Sequence, residues 1–255
     1  MEKVKQLLDY VASQEEAIIT YRGSDMVLAV HSDAGYINEP KAQSRAGGHF
    51  YLSSDENFPP NNGAILNIAQ IIKAVMSSAA EAELGALFIN AKEAIYVRNM
   101  LTEMGHTQPR TPIQTDNSTA EGVINSKIQP KRTKSMDMRF YWLRCREAQE
   151  QFRFYWRPGG QNLADYWTKH HPAAHHQNLR DEFLTKMQEI EDLRKEGVNN
   201  QEYAHMSLSG PQVASCKGVL DRPAVNPDSS WNLSRHLLKS AISNLRAISD
   251  TTRSS

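Results

Sequence analysis

Cysteine is scarce in this chain, with two in 255 residues, Cys145 and Cys216. Two cysteines cannot form the multi-bridge framework of a small secreted domain, which fits a reducing compartment. Long hydrophobic runs are missing as well. None comes near the roughly 20 apolar residues that a membrane helix needs. The opening segment, MEKVKQLLDYVASQEE, is charged and lacks the apolar centre of a signal peptide. Excess charge is also absent, since 29 basic residues balance 29 acidic ones. Overall electrostatics therefore select no partner, and only the local distribution of charge is informative. No internal repeat is visible. These absences give the expectation of an intracellular protein, cytoplasmic or nuclear, that is not secreted and does not contact a membrane.

What is present is patterned. Val4, Leu7, Leu8 and Val11 mark a short amphipathic helix. The run MVLAVHSDA, Met26 to Ala34, reads as a strand buried on both faces. Gly47–Ser53 and Gly63–Gln70 read as two more strands around the turn SDENFPPNNG, so the three form an antiparallel meander. Ser78 and Glu81 match a capping box that opens a long helix ending at Gly105. A short strand near Ile113 follows. Next come a brief helix, Thr119 to Asn125, capped by Asp116-Asn117-Ser118, a helix from Ser135 to Gln149, and a strand from Phe152 to Trp156. A last helix is expected from Leu163 to His171. This order predicts an α/β domain, a five-stranded mixed sheet of an antiparallel meander plus two parallel strands, flanked by helices. Three regions are expected: residues 1–24 as a lead-in, 25–187 as the folded domain, and 188–255 as a polar, largely disordered tail with one possible helix at 231–248.

Four acids sit where this layout brings strand ends and helix starts together: Asp33, Glu83, Asp116 and Asp165. Each also has an ordinary reading. Asp33 suits a turn, Glu83 an exposed helix position, and Asp116 and Asp165 helix caps. Gathered on one edge, carboxylates repel one another and resist desolvation unless a cation joins them. Mg²⁺ suits such a set because it takes hard oxygen ligands.

The local sequence around the four is more specific. HSDAGY (31–36), SSAAEAELGA (77–86), QTDNSTA (114–120), RTKSMDMRF (132–140) and NLADYWTK (162–169) occur in order. Together they resemble the successive blocks of the ribonuclease H domain of copia-type LTR retrotransposon polyproteins. The resemblance spans roughly Asp25 to Lys169. It implies a ribonuclease H-like fold and cleavage of the RNA strand of an RNA–DNA hybrid. It also implies a two-metal site of Asp33, Glu83, Asp116 and Asp165, with Mg²⁺ as cofactor, Mn²⁺ as a substitute and no small-molecule cofactor. Glu83 is preferred to Glu81 because Leu84-Gly85-Ala86 after it follows the family's bulky, variable, small pattern. The segment RPGGQNLAD lacks the His that many enzymes of this fold carry before the last Asp, with His170 and His171 as possible substitutes. No paired-Asp polymerase motif occurs. Residues 1–24 resemble the end of an upstream reverse transcriptase, which the resemblance makes a partner in an intact element.

The stretch from Lys127 to Arg157 carries nine basic residues against Asp137, Glu147 and Glu150, leaving a local charge of +6. Lys131, Arg132 and Lys134 are the candidate phosphate contacts, for binding that weakens with salt. Gln114 and Asn117, beside Asp116, are candidates for contacting 2′-hydroxyls, although Asn117 also suits a helix cap. Two other readings remain: a catalytically inactive nucleic-acid-binding remnant, and a DNA-acting nuclease of the same superfold.

Overall fold

The computed structural model describes residues 2–12, 18–126, 137–185 and 203–207. Lys131, Arg132, Lys134 and the expected helix at 231–248 lie outside the described residues. The helices are α1 (Glu2–Ala12), α2 (Ala79–Glu103), α3 (Ser118–Ile124), α4 (Asp137–Ala148) and α5 (Ala173–Phe183). The strands are β1 (Ile18–Arg22), β2 (Val27–Glu39), β3 (Gln43–Ser53), β4 (Ala64–Ile72), β5 (Thr111–Thr115), β6 (Phe152–Trp156) and β7 (Tyr203–Ser207). Among the described residues, no helix is long and apolar enough to cross a membrane.

Five strands form the central sheet in the order β4-β3-β2-β5-β6. The β2–β3 and β3–β4 pairs are antiparallel, and β2–β5 and β5–β6 are parallel. This is the ribonuclease H-like sheet expected from the sequence. The side-chain period of two divides it cleanly. On one face Leu28, Val30, Phe50, Ile113, Phe152 and Phe154 pack against Leu84, Leu87, Ala91 and Ala94 of α2 and Phe140 and Leu143 of α4. The opposite face carries His31, His49, Tyr51, Gln114 and Tyr155, all buried. Their positions follow from the register, in which His31 lies opposite His49 and Gln114, Ala29 opposite Tyr51, and Gln114 opposite Tyr155.

Several limits differ from expectation. β2 continues to Glu39, past Ala34, through a register shift between Gly35 and Glu39. Pro112 lies inside β5 and has no N–H for the ladder. β2 and β5 pair only at Val30–Ile113 and His31–Gln114. Before that point the Gln108 side chain takes the place of a strand, accepting from Leu28 N at 3.0 Å and donating to Met26 O at 2.9 Å. At the start of α2, Ser78 accepts from Glu81 N as the cap predicts. The reciprocal half of the box is displaced by one residue, because Glu81 Oε2 accepts from Ser77 N at 2.9 Å and from the Ser77 hydroxyl at 2.7 Å.

The last helix is the main correction. Leu163–Trp167 is a short 3₁₀ turn, and helix resumes only at Ala173 as α5. Thr168 is drawn inward to Asp33, and Pro172 biases the residue before it away from helical geometry. The polar region after residue 188 also supplies a strand that its composition does not announce, β7, which pairs antiparallel with β1 from Ile18–Ser207 to Arg22–Tyr203.

Candidate active site

The site forms where β2 and β5 end. In open sheets with parallel strands, the carboxyl ends of neighbouring strands leave a crevice. β2 outruns its pairing with β5, so its Ala34 N–H has no ladder partner there and donates to Glu83 Oε1 at 3.2 Å. Glu83 reaches this point from the first turns of α2, on the apolar side of the sheet. Asp33 comes from the opposite face, in register with Gly47 of β3. Asp116 follows the last residue of β5, and its carbonyl accepts from Trp156 Nε1 at 2.8 Å.

Carboxylate oxygens of Asp33, Glu83 and Asp116 lie within 4.8 Å of one another. Oxygens on a single Mg²⁺ at 2.1 Å are at most about 4.2 Å apart, so small rotamer adjustments bring the three onto one ion. Asp33 and Glu83 are buried, and Asp116 is half-buried. Glu83 Oε2 is buried and makes no hydrogen bond. An orphaned, buried carboxylate oxygen beside two other acids is the kind of donor a hard cation satisfies, so the residues fit a divalent metal.

The electrostatics agree. Burial pushes the Glu83 carboxyl up to about 9, with Asp33 and Asp116 adding to the shift and the Ala34 N–H and neighbouring Thr115 hydroxyl opposing it. Burial also raises Asp33 to about 6, and Asp116 and Asp165 add to it, while the Thr168 hydroxyl pulls it down. Asp116 is raised by burial and then by Asp165. Without a cation, this group of acids resists full ionisation.

Asp165 stands apart from the triad. It sits in the 3₁₀ turn and is ion-paired with Lys169, four residues on. Burial alone would depress the Lys169 ammonium, but Asp165, Asp33 and Asp116 outweigh it and raise the group. The turn is bolted to the sheet by groups whose roles the sequence did not reveal. Thr168, fully buried, has its hydroxyl 2.7 Å from Asp33 Oδ2 and 2.9 Å from Asp165 O. Asn162 donates to Ser32 O at 2.9 Å and accepts from Ala164 N at 3.1 Å. Leu163 N donates to His31 Nδ1 at 3.2 Å. With Nδ1 accepting, His31 Nε2 carries the proton and donates to Tyr51 Oη at 3.0 Å, and Tyr51 donates to Pro59 O at 3.4 Å. Burial first, then His49 and Arg157, lowers His31 to about 3, consistent with a neutral ring. Gly47 makes room for the turn, since a Cβ there would lie 2.5 Å from Ala164 O and 2.6 Å from Thr168 Cγ2. The spacing of Thr168 and Lys169 from Asp165, three and four residues, was the available clue.

The other candidates divide. Asn117 is the N-cap of α3, its Oδ1 accepting from Ala120 N at 3.0 Å. Gln114 is held inside the protein. It is fully buried, donates to Gln161 O at 3.0 Å and accepts from Tyr155 Oη at 3.3 Å, so its amide is used inside the protein. His171 stacks on His175 at 4.2 Å and on Tyr166 at 5.3 Å.

Strand order and pairing give this domain a ribonuclease H-like fold. No protein-family model matches the chain. The ribonuclease H1 LC11, isolated from compost by metagenomics, superposes with a TM-score of 0.43 at 14% identity, over 56% of this chain and 93% of that one. The same protein in complex with an RNA/DNA hybrid gives 0.42 at 11% identity, over 55% and 93%. In sequence, the chain is similar to a retrovirus-related Pol polyprotein of the Nicotiana tabacum transposon TNT 1-94, a copia-type element, at 27% identity over 168 residues. That match takes in 66% of this chain and spans 12% of the length of the polyprotein.

Proposed function

We propose that this chain is a divalent-metal-dependent ribonuclease H that hydrolyses the RNA strand of RNA–DNA hybrids. Asp33, Glu83 and Asp116 hold the metal, Asp165 completes the acidic set, and Mg²⁺ is the ion, with Mn²⁺ able to replace it. The observation that carries this reading is the convergence of three carboxylates from three separate elements within 4.8 Å, one with a buried, unpartnered oxygen. Bound there, a pair of such ions supplies Lewis acidity and lowers the pKa of water for attack on a phosphodiester.

The protein's own residues set the frame. Ala34 N–H pins one oxygen of Glu83 and leaves the other for the ion. The Thr168 hydroxyl holds one oxygen of Asp33, so the other can turn to the metal. Asn117, next to Asp116 and half-buried, stands at the rim for a sugar hydroxyl, and Lys131, Arg132 and Lys134 supply phosphate contacts.

Incubation of the purified protein with a hybrid labelled on its RNA strand tests this directly. RNA cleavage that requires Mg²⁺ or Mn²⁺ and is lost in Asp116→Asn is expected. No cleavage, or cleavage undiminished by that substitution, overturns the reading. Preferential cleavage of duplex DNA would instead assign a DNA-acting nuclease.

A further inference from the structure

Lys169 is the cation placed beside the acids. Three features fix where it sits. Thr168, before it, is fully buried and tied through its hydroxyl to Asp33. The Thr168 backbone is held on both sides, its N–H donating to Asp165 O at 3.2 Å and its carbonyl accepting from Asn38 Nδ2 at 2.5 Å. The Lys169 backbone is therefore anchored beside the crevice, while its side chain stays about half exposed and able to move. Its ammonium pairs with Asp165, and Asp33 and Asp116 also feel its charge. Asp33, Glu83 and Asp116 already form a group that one ion can bridge, and Asp165 is the acid left outside it.

We infer that Lys169 is a built-in counter-ion that competes with the second divalent ion for Asp165, so that the site takes its first ion readily and its second only when Lys169 lets go. This rests on the metal reading above and adds a rule for its occupancy. The first ion meets three carboxylates that Lys169 does not bond. The second requires Asp165, whose oxygen the ammonium occupies, and must approach against a resident positive charge. The ion pair is partly solvent-exposed, so the competition is modest and the lysine can be displaced. Once displaced, the ammonium lies at the mouth of the site, where a phosphate of the substrate would receive it.

Mn²⁺ titration without nucleic acid, following free Mn²⁺ by electron paramagnetic resonance, separates the possibilities. The wild-type chain is expected to bind one ion tightly and a second weakly. Lys169→Met should tighten the second by about fivefold and leave the first within about twofold. Lys169→Arg, which keeps the charge, should stay near wild type. In an Asp165→Asn background, Lys169→Met should no longer change the second ion. A second-ion affinity unchanged or weakened by Lys169→Met overturns the inference, and so does an equal gain in the Asp165→Asn background. Both results leave the metal site itself standing. Failure of every variant to bind any Mn²⁺ would remove the metal site, and the inference with it.

Discussion

The two faces of the central sheet are built on different principles. The face toward α2 and α4 is a hydrocarbon core, with Leu28, Val30, Phe50, Leu87, Ile113 and Leu143 each fully buried. The other face is equally dry but polar, with His31, His49, Tyr51 and Gln114 each no more than 2% exposed. The first face is held by packing without directional demands. The second depends on a chain of hydrogen bonds from Leu163 through His31 and Tyr51 to Pro59. Stability can come from either kind of face, but only the polar one sets the angle of the turn that carries Asp165 and Thr168. The acidic site lies where the two meet, taking Glu83 from the packed side and Asp33 from the bonded side.

Substitutions can break that comparison, beginning with the largest effect. Asp33→Asn and Glu83→Gln each remove one carboxylate of the proposed metal site, from a different face. Each should lower metal-dependent cleavage on the order of a thousandfold or more, read as kcat on a hybrid at saturating Mg²⁺. A large loss for one and a small loss for the other would mean that only one face builds the site. Leu87→Ala, on the packed face, should cost about 2–5 kcal/mol in urea unfolding through the cavity it leaves. Tyr51→Phe, on the bonded face, removes only a hydroxyl but strands His31 Nε2–H and the Pro59 carbonyl. Its cost should be about 1–3 kcal/mol. Tyr51→Phe should also lower cleavage, because the turn loses its reference, whereas Leu87→Ala should spare cleavage in the fraction that stays folded.

A further effect concerns pH. Without metal, Glu83 binds its proton more tightly when folded, up to about 9. The folded state therefore holds more protons than the unfolded chain above the ordinary carboxylate range, and stability falls as pH rises toward 9. Asp33, raised to about 6, contributes the same sign at lower pH. His31 and His49, lowered to about 3 and about 4, contribute the opposite sign below the ordinary imidazole range near 6.5. The clean window is therefore pH 6.5 to 9, where Glu83 acts without the imidazoles. In EDTA, Tm should decline across it, Glu83→Gln should flatten the decline, and Mg²⁺ should reverse it.

The packed face was legible in the sequence because its signals are periodic. The aromatic alternation of Phe152–Trp156 gives the strand its observed limits, and the cap at Ser78 and the apolar spacing up to Gly105 mark the long helix, observed at Ala79–Glu103. The positions of Asp33, Glu83 and Asp116 followed from strand ends and a helix start together with the flanking motifs. The bonded face was not legible. A polar residue in a strand reads as exposed, whereas Gln114 is sealed under Gln161 and Tyr155. The segment from Leu163 to His171 has helical spacing in sequence, but the structure forms a 3₁₀ turn at Leu163–Trp167. What separates the two is Thr168 bonding Asp33, a partner 135 residues away, which no local window contains.

The small sheet of β1 and β7 bears on biosynthesis. Ile18 to Arg22 leave the ribosome before their antiparallel partner, Tyr203 to Ser207, has been translated. Until then, the leading strand is an open edge on a nascent chain that has already produced every acid of the site. Open edges of this kind recruit other strands during slow, long-range pairing. Expression yield should therefore depend on whether translation reaches this clasp, and versions of the chain that stop before residue 203 should need a chaperone more than versions that include it.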